Sequence, residues 1–108
     1  MLQRYNTTMA KLNLEKDKKL LVATLRILKS SKDLSIFIDD LLTEEEILDL
    51  AQRIKIAKLI LGGKTYDEIA EKVKTSTSTV SKIGQIIKYG KGGLQKVLGN
   101  KMKGGVKE

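Results

Sequence analysis

From Thr43 to Gly90 the chain carries its own helix punctuation, and this limits what it can fold into more than any other feature. Thr43-Glu44-Glu45-Glu46 reads as a capping box: Thr43 caps, Glu46 reaches back, and three carboxylates meet the positive end of a helix dipole. Ile47, Leu50, Ala51, Ile54, Ala57 and Leu61 then recur at helical spacing until Gly62-Gly63 stops the run. A second box, Thr65-x-x-Glu68, opens a helix over about Tyr66 to Val73, with Ile69, Ala70 and Val73 inward. Lys74-Thr75-Ser76 makes a turn, and a third helix is predicted from Thr77 to Tyr89, buried through Val80, Ile83 and Ile87 and closed by Gly90.

The flanking segments continue the pattern. A long helix is predicted over about Met9 to Ser30, with Leu14, Lys18, Leu21, Leu25 and Leu28 on one stripe. Leu20, Val22 and Ile27 widen that stripe, so this helix needs apolar partners on two sides. Ser30-Ser31-Lys32-Asp33 breaks it, and a short helix follows with Leu34, Phe37, Ile38, Leu41 and Leu42 inward. After Tyr89, Gly92-Gly93 is a hinge before a short amphipathic piece, Leu94 to Leu98. Residues 99–108 are polar and glycine-rich, and are expected to form a flexible basic tail. With no proline in the chain, the expectation is an all-α protein with a single domain over residues 1–98. Its one Phe and three Tyr leave the core to aliphatic residues, and a small aliphatic helical set often completes its core by dimerising.

Composition removes whole classes of function. Without Cys or His the chain has no thiolate or imidazole metal site, no disulfide, and no Ser-His or Cys-His nucleophile. No paired carboxylates stand out as an acid/base site, so neither an enzyme nor a cofactor is expected. Gly84 to Gly92 is one residue too long for a phosphate-binding loop and has glycine where the metal-binding hydroxyl belongs. No apolar run approaches the roughly 18 residues of a membrane span, and the N-terminus lacks a signal-peptide apolar region. A cytoplasmic protein is expected.

Charge points to a partner. Net charge is +3 over residues 1–43, −1 over 44–63 and +6 over 64–108. Between Lys72 and Lys107 stand nine lysines and no acid, which concentrates attraction to phosphates at that end. The block overlaps a helix–turn–helix pattern over residues 66–89. In a twenty-residue frame from Tyr66 to Gln85, the fifth position, where the helices cross, is the small Ala70. The fourth, eighth, fifteenth and eighteenth are Ile69, Val73, Val80 and Ile83. The ninth, where the turn favours a left-handed backbone and usually glycine, is Lys74. Groove-facing positions would be Ser76, Thr77, Ser78, Ser81 and Lys82; their hydroxyls can bond phosphates or base edges, and Lys82 can bond guanine. Ser76 or Thr77 must also cap the helix. Lys74, Lys88 and Lys91 would grip phosphates without reading sequence.

The runs Asp40-Leu-Leu-Thr43, Leu50-Ala-Gln-Arg53, Ile56-Ala-Lys58, Gly63-Lys-Thr-Tyr66, Ser76-Thr-Ser-Thr-Val-Ser81 and Tyr89-Gly90 resemble the Trp-repressor superfamily, and within it the YerC/YecD-like branch, over about Leu34 to Leu98. The resemblance implies an intertwined helical homodimer presenting two helix–turn–helix units to successive major grooves of a palindromic operator. The implied function is transcription regulation, as a repressor. The family's tryptophan pocket carries over in part: Arg53 matches the first of two arginines that sandwich the indole, and Thr43 matches a threonine near the amino-acid end. Lys82 replaces the second arginine and Ile83 replaces a glycine that leaves the ligand room. Lysine lacks the planar guanidinium that stacks on a ring, so tryptophan control is not expected. An unknown small-molecule effector at Thr43, Arg53 and Lys82 stays open. Two other readings of the basic helical surface are RNA binding and a helix–turn–helix used as a protein-interaction module; the scarcity of aromatics disfavours single-stranded RNA.

Overall fold

The computed structural model describes residues 7–99, and every element in them is helical. In order these are α1 (Thr7–Ile27), α2 (Ser31–Leu41), α3 (Glu44–Leu61), α4 (Tyr66–Val73), α5 (Thr77–Tyr89) and a π-helical turn, Gln95–Gly99. The expected basic tail, beyond Gly99, lies outside the described residues. Among the described residues no helix is long and apolar enough to cross a membrane. The chain divides into two compact units, one ending at Thr43 and the other beginning at Glu44.

In the first unit, α1 ends three residues earlier than its periodicity suggests. The Leu28 N–H bonds to the Leu25 carbonyl at 3.2 Å, tightening the last turn, and Ser30 is committed to the next helix. The Ser30 hydroxyl accepts the Asp33 N–H at 3.1 Å, so Ser31, Lys32 and Asp33 form the first turn of α2 rather than a linker. Phe37, Ile38 and Leu42 are half-buried, but Leu34 and Leu41, expected inward, remain exposed. The α1 stripe is also open to solvent at Leu14, Leu21 and Leu25, and Leu20 is 69 % exposed.

The second unit has the core. Ile56 and Ala57 of α3, Ile69 of α4, and Val80 and Ile83 of α5 are buried together, ringed by Leu59, Ile60, Tyr66, Ala70, Val73, Ile87, Leu94 and Leu98. Each fully buried Ile or Val contributes about 1.5–3 kcal/mol relative to an exposed one. Here α3 departs from expectation. Its periodicity points inward through Leu50 and Ile54, yet both stand about half exposed and Ile56 takes the core position. The helix is apolar on two sides, so periodicity does not decide which side meets α4 and α5; packing turned Ile56, Ala57 and Ile60 inward.

Glycine ends α3 as predicted. Lys64 N–H bonds to the Leu59 carbonyl at 3.1 Å and Gly63 N–H to the Ile60 carbonyl at 3.0 Å, a Schellman pair. That motif needs a left-handed residue, and Gly63 supplies it with φ of 89°. Thr65, two residues on, caps α4, so only residues 62–65 separate the two helices.

Candidate nucleic-acid interface

The start of α4 is set by the reciprocal box read from the sequence. Thr65 N–H donates to Glu68 Oε1 at 2.9 Å, and Glu68 N–H donates to Thr65 Oγ1 at 3.1 Å. The backbone hydrogen bond from Thr65, with one from its hydroxyl and the nearby Lys64 charge, holds the Glu68 carboxyl below the usual carboxylate range. At the other end, Lys74 takes φ of 64° and ψ of 55°. Its N–H and that of Thr75 both turn back onto the Ala70 carbonyl, the latter at 2.9 Å. The ninth position of the frame is therefore left-handed, as the pattern requires, with lysine in place of glycine.

Ser76 then caps α5. Its hydroxyl accepts the Thr79 N–H at 3.1 Å and lies 3.1 Å from the Thr79 hydroxyl. Of the predicted groove-facing set, Ser76 is thus held by the helix start, while Thr77 and Ser78 are exposed beside it. The first turn of α5 contains no acid, unlike those of α3 and α4. Its positive dipole end faces no acid in its own first turn, which suits an anion such as phosphate. Lys82 is exposed and Ser81 half-buried on the flank of the helix; Lys74, Lys88 and Lys91 are exposed.

The opposite face of α5 is anchored by Val80, Ile83 and Gly84, all buried. Gly84 was missed in the sequence, where an interior glycine reads only as a weak spot in a helix. A Cβ built there would stand 2.9 Å from Tyr66 Cζ and nearer still to the phenol oxygen. The glycine lets the Tyr66 ring slide under α5, bringing the first and nineteenth positions of the frame, eighteen residues apart in the chain, into contact. Beyond Gly90, the C-terminal segment returns to the end of the helix. Gln95 Nε2 donates to the Ile87 carbonyl at 2.6 Å, satisfying a carbonyl in the last turn of α5.

On the flank of α5 lies a cleft of about 340 Å³ shared with α3. Ile56, Ile83 and Ile86 supply its apolar lining, and Asp49, Arg53 and Lys82 its charged groups. The structure thus brings Arg53 and Lys82 to one cleft. Thr43, the third residue of the effector reading, closes the first unit. Ile83 is 5 % exposed, so its side chain is part of the core rather than a movable cover.

The family described as Trp repressor protein matches the chain over residues 16–102. An uncharacterized protein of Bacillus subtilis (strain 168), YerC, is 38% identical over 63 residues, which is 58% of this chain and 61% of that protein. The match therefore spans less than two thirds of that relative's length. No solved structure matches the chain significantly.

Proposed function

The chain belongs to the Trp repressor family, on its YerC-like branch, and on that premise we propose that it is a sequence-specific double-stranded DNA-binding regulator of transcription. It works as a homodimer in the cytoplasm, without catalysis, and represses by occluding a promoter. The observation that carries this reading is α5 itself. One face is locked into the core through Val80, Ile83 and Gly84, and the other presents hydroxyls and Lys82 beyond an acid-free helix start. A helix held this way can enter a major groove as a rigid reader. Thr77, Ser78, Ser81 and Lys82 face the bases, with Ser76 closing the helix start against a phosphate. Lys74, Lys88 and Lys91 hold the backbone.

The first unit supplies the pairing surface. Leu14, Leu20, Leu21, Val22, Leu25 and Ile27 of α1 are all exposed in a single chain, more contiguous apolar surface than a monomer keeps in water. Two copies intertwining these helices would bury it and set two readers about one helical turn apart. Residues 1–98 then act as one DNA-binding and dimerisation domain with its reader over 66–89, and residues 99–108 serve as a basic tail. If an effector acts on this protein, it does so at the α3–α5 cleft through Arg53 and Lys82. Tryptophan does not suit that cleft, because Ile83 occupies space and Lys82 offers no planar stacking surface.

The test is selection from a random duplex library by the purified protein at about 150 mM salt, together with its sedimentation mass. A dimer enriching a palindrome with half-sites about one turn apart is the expected result. Binding without an enriched motif would leave only the lysines at work and overturn the reading, and preference for an RNA of equal length would replace it.

A further inference from the structure

Four exposed side chains of α5 fall on one line: Ser78, Lys82, Gln85 and Tyr89, spaced four, three and four residues apart. That spacing is a single stripe along a helix, and it lies opposite the side of the buried Val80 and Gly84 and the half-buried Ile87. Its first two members belong to the reader already described. The third falls at the edge of the helix–turn–helix frame, and the fourth, Tyr89, is 78 % exposed.

We infer that Gln85 is a base-reading residue, specifying adenine beside the base contacted by Lys82. The inference rests on the DNA-binding reading above and extends the readout one turn along α5. Three lines of argument support it. The first is chemical: a glutamine amide offers one donor and one acceptor side by side, the complement of adenine N6 and N7 in the major groove. Lysine offers donors alone and suits guanine O6 and N7. The second is spacing. Lys82 and Gln85 are separated by a rise of about 4.5 Å along the helix, close to the ~3.4 Å step between stacked bases, so the two side chains address neighbouring base pairs.

The third is support. A side chain reads a base only if its backbone is held at a defined height over the groove. Gln85 directly follows Gly84, the point where α5 rests on the Tyr66 ring. The helix is therefore fixed to α4 beneath Gln85 itself, and both sides of that turn are pinned, by Ile83 before and Ile87 after. Gln85 thus stands on a packed turn of α5 while its own side chain is left to solvent.

The experiment repeats the random-duplex selection with wild type, Gln85→Ala and Gln85→Glu, each first shown to melt like the parent. Gln85→Ala should lose on the order of tenfold or more of the discrimination at one position of each half-site, and leave the others in place. Gln85→Glu, an acceptor only, should move the preference at that same position from adenine toward cytosine, whose N4 amine it can accept. Motifs that are identical across the three proteins would overturn the role of Gln85 while leaving the DNA-binding reading intact. A wild type that enriches no motif would remove both. A weakening equal on every sequence would show Gln85 to be a backbone contact and equally refute base reading.

Discussion

Replacing Gly84 with alanine sets two opposed effects against each other, and the structure decides between them. In a helix interior, glycine is less favourable than alanine by about 0.8–1.0 kcal/mol, so propensity alone predicts stabilisation. Against this, the new Cβ would lie 2.9 Å from Tyr66 Cζ and closer to the hydroxyl. Carbon atoms pack at about 3.5–4.0 Å, so more than half an ångström must be found. The contact is with a stiff ring packed on the core, not with the end of a flexible chain. Inserting a methyl group into such a contact costs about 1–3 kcal/mol. Sterics win, and Gly84→Ala should lose about 1 kcal/mol net, by the difference of those two ranges.

The decisive form of the experiment changes Tyr66 as well. Tyr66→Leu keeps an apolar side chain but ends before Cζ, and in that background Gly84→Ala should gain about 1 kcal/mol through restored propensity. The coupling between the two sites is then about 2 kcal/mol, well above the few tenths expected of independent residues. Urea unfolding followed by circular dichroism measures it, at one protein concentration throughout because association would shift apparent stability. If Gly84→Ala has the same effect in both backgrounds, or stabilises the wild type, the close approach of Tyr66 is not what keeps this glycine.

Two other changes probe the same helix pair. Lys74→Gly relieves a left-handed backbone at a residue with a Cβ, and should raise stability by up to about 1 kcal/mol. If Lys74 grips a phosphate, the same change should lower the salt dependence of DNA binding by about 0.9 in log–log slope; an unchanged slope would exclude that contact. The Glu68 carboxyl is lowered by its bonds to Thr65, so its stabilisation is present above the unfolded carboxylate range and is lost as pH falls through the folded value. Glu68→Gln should therefore melt earlier at neutral pH and show a shallower loss on acidification. Parallel melting curves against pH for the two proteins would count against the box.

Local signals were legible in the sequence and tertiary ones were not. The bounds of α4 and α5 follow from Thr65, Glu68, Ser76 and Gly90, each acting on its own backbone neighbours, and the structure places both helices where those residues put them. Ile69, Val80 and Ile83 are buried as the frame requires. The face of α3 was misread, because a helix apolar on two sides leaves the choice between Ile54 and Ile56 to its neighbours. Ser30, which reads as a break in the sequence, caps α2. Gly84 could not be read at all, since its reason is a ring eighteen residues away. Gln85, the residue inferred to read a base, closes the frame rather than standing among its groove positions.

Two positions in the α4–α5 pair run against local preference in opposite senses. The turn wants glycine and holds Lys74; the helix interior wants alanine and holds Gly84. Each departure costs on the order of 1 kcal/mol against the locally preferred residue. Local preference alone would have them the other way round. Gly84 is explained by geometry, because the Tyr66 ring needs the space. Nothing in the packing of the turn asks for lysine at 74, whose side chain is exposed. Departures of this kind concentrate at functional sites, and here both lie in the element pair proposed to read DNA. Gly84 sets the height of the helix, and Lys74 places a cation at the turn where the reader begins. The stability gained by Lys74→Gly and the affinity lost with it should therefore appear in the same protein.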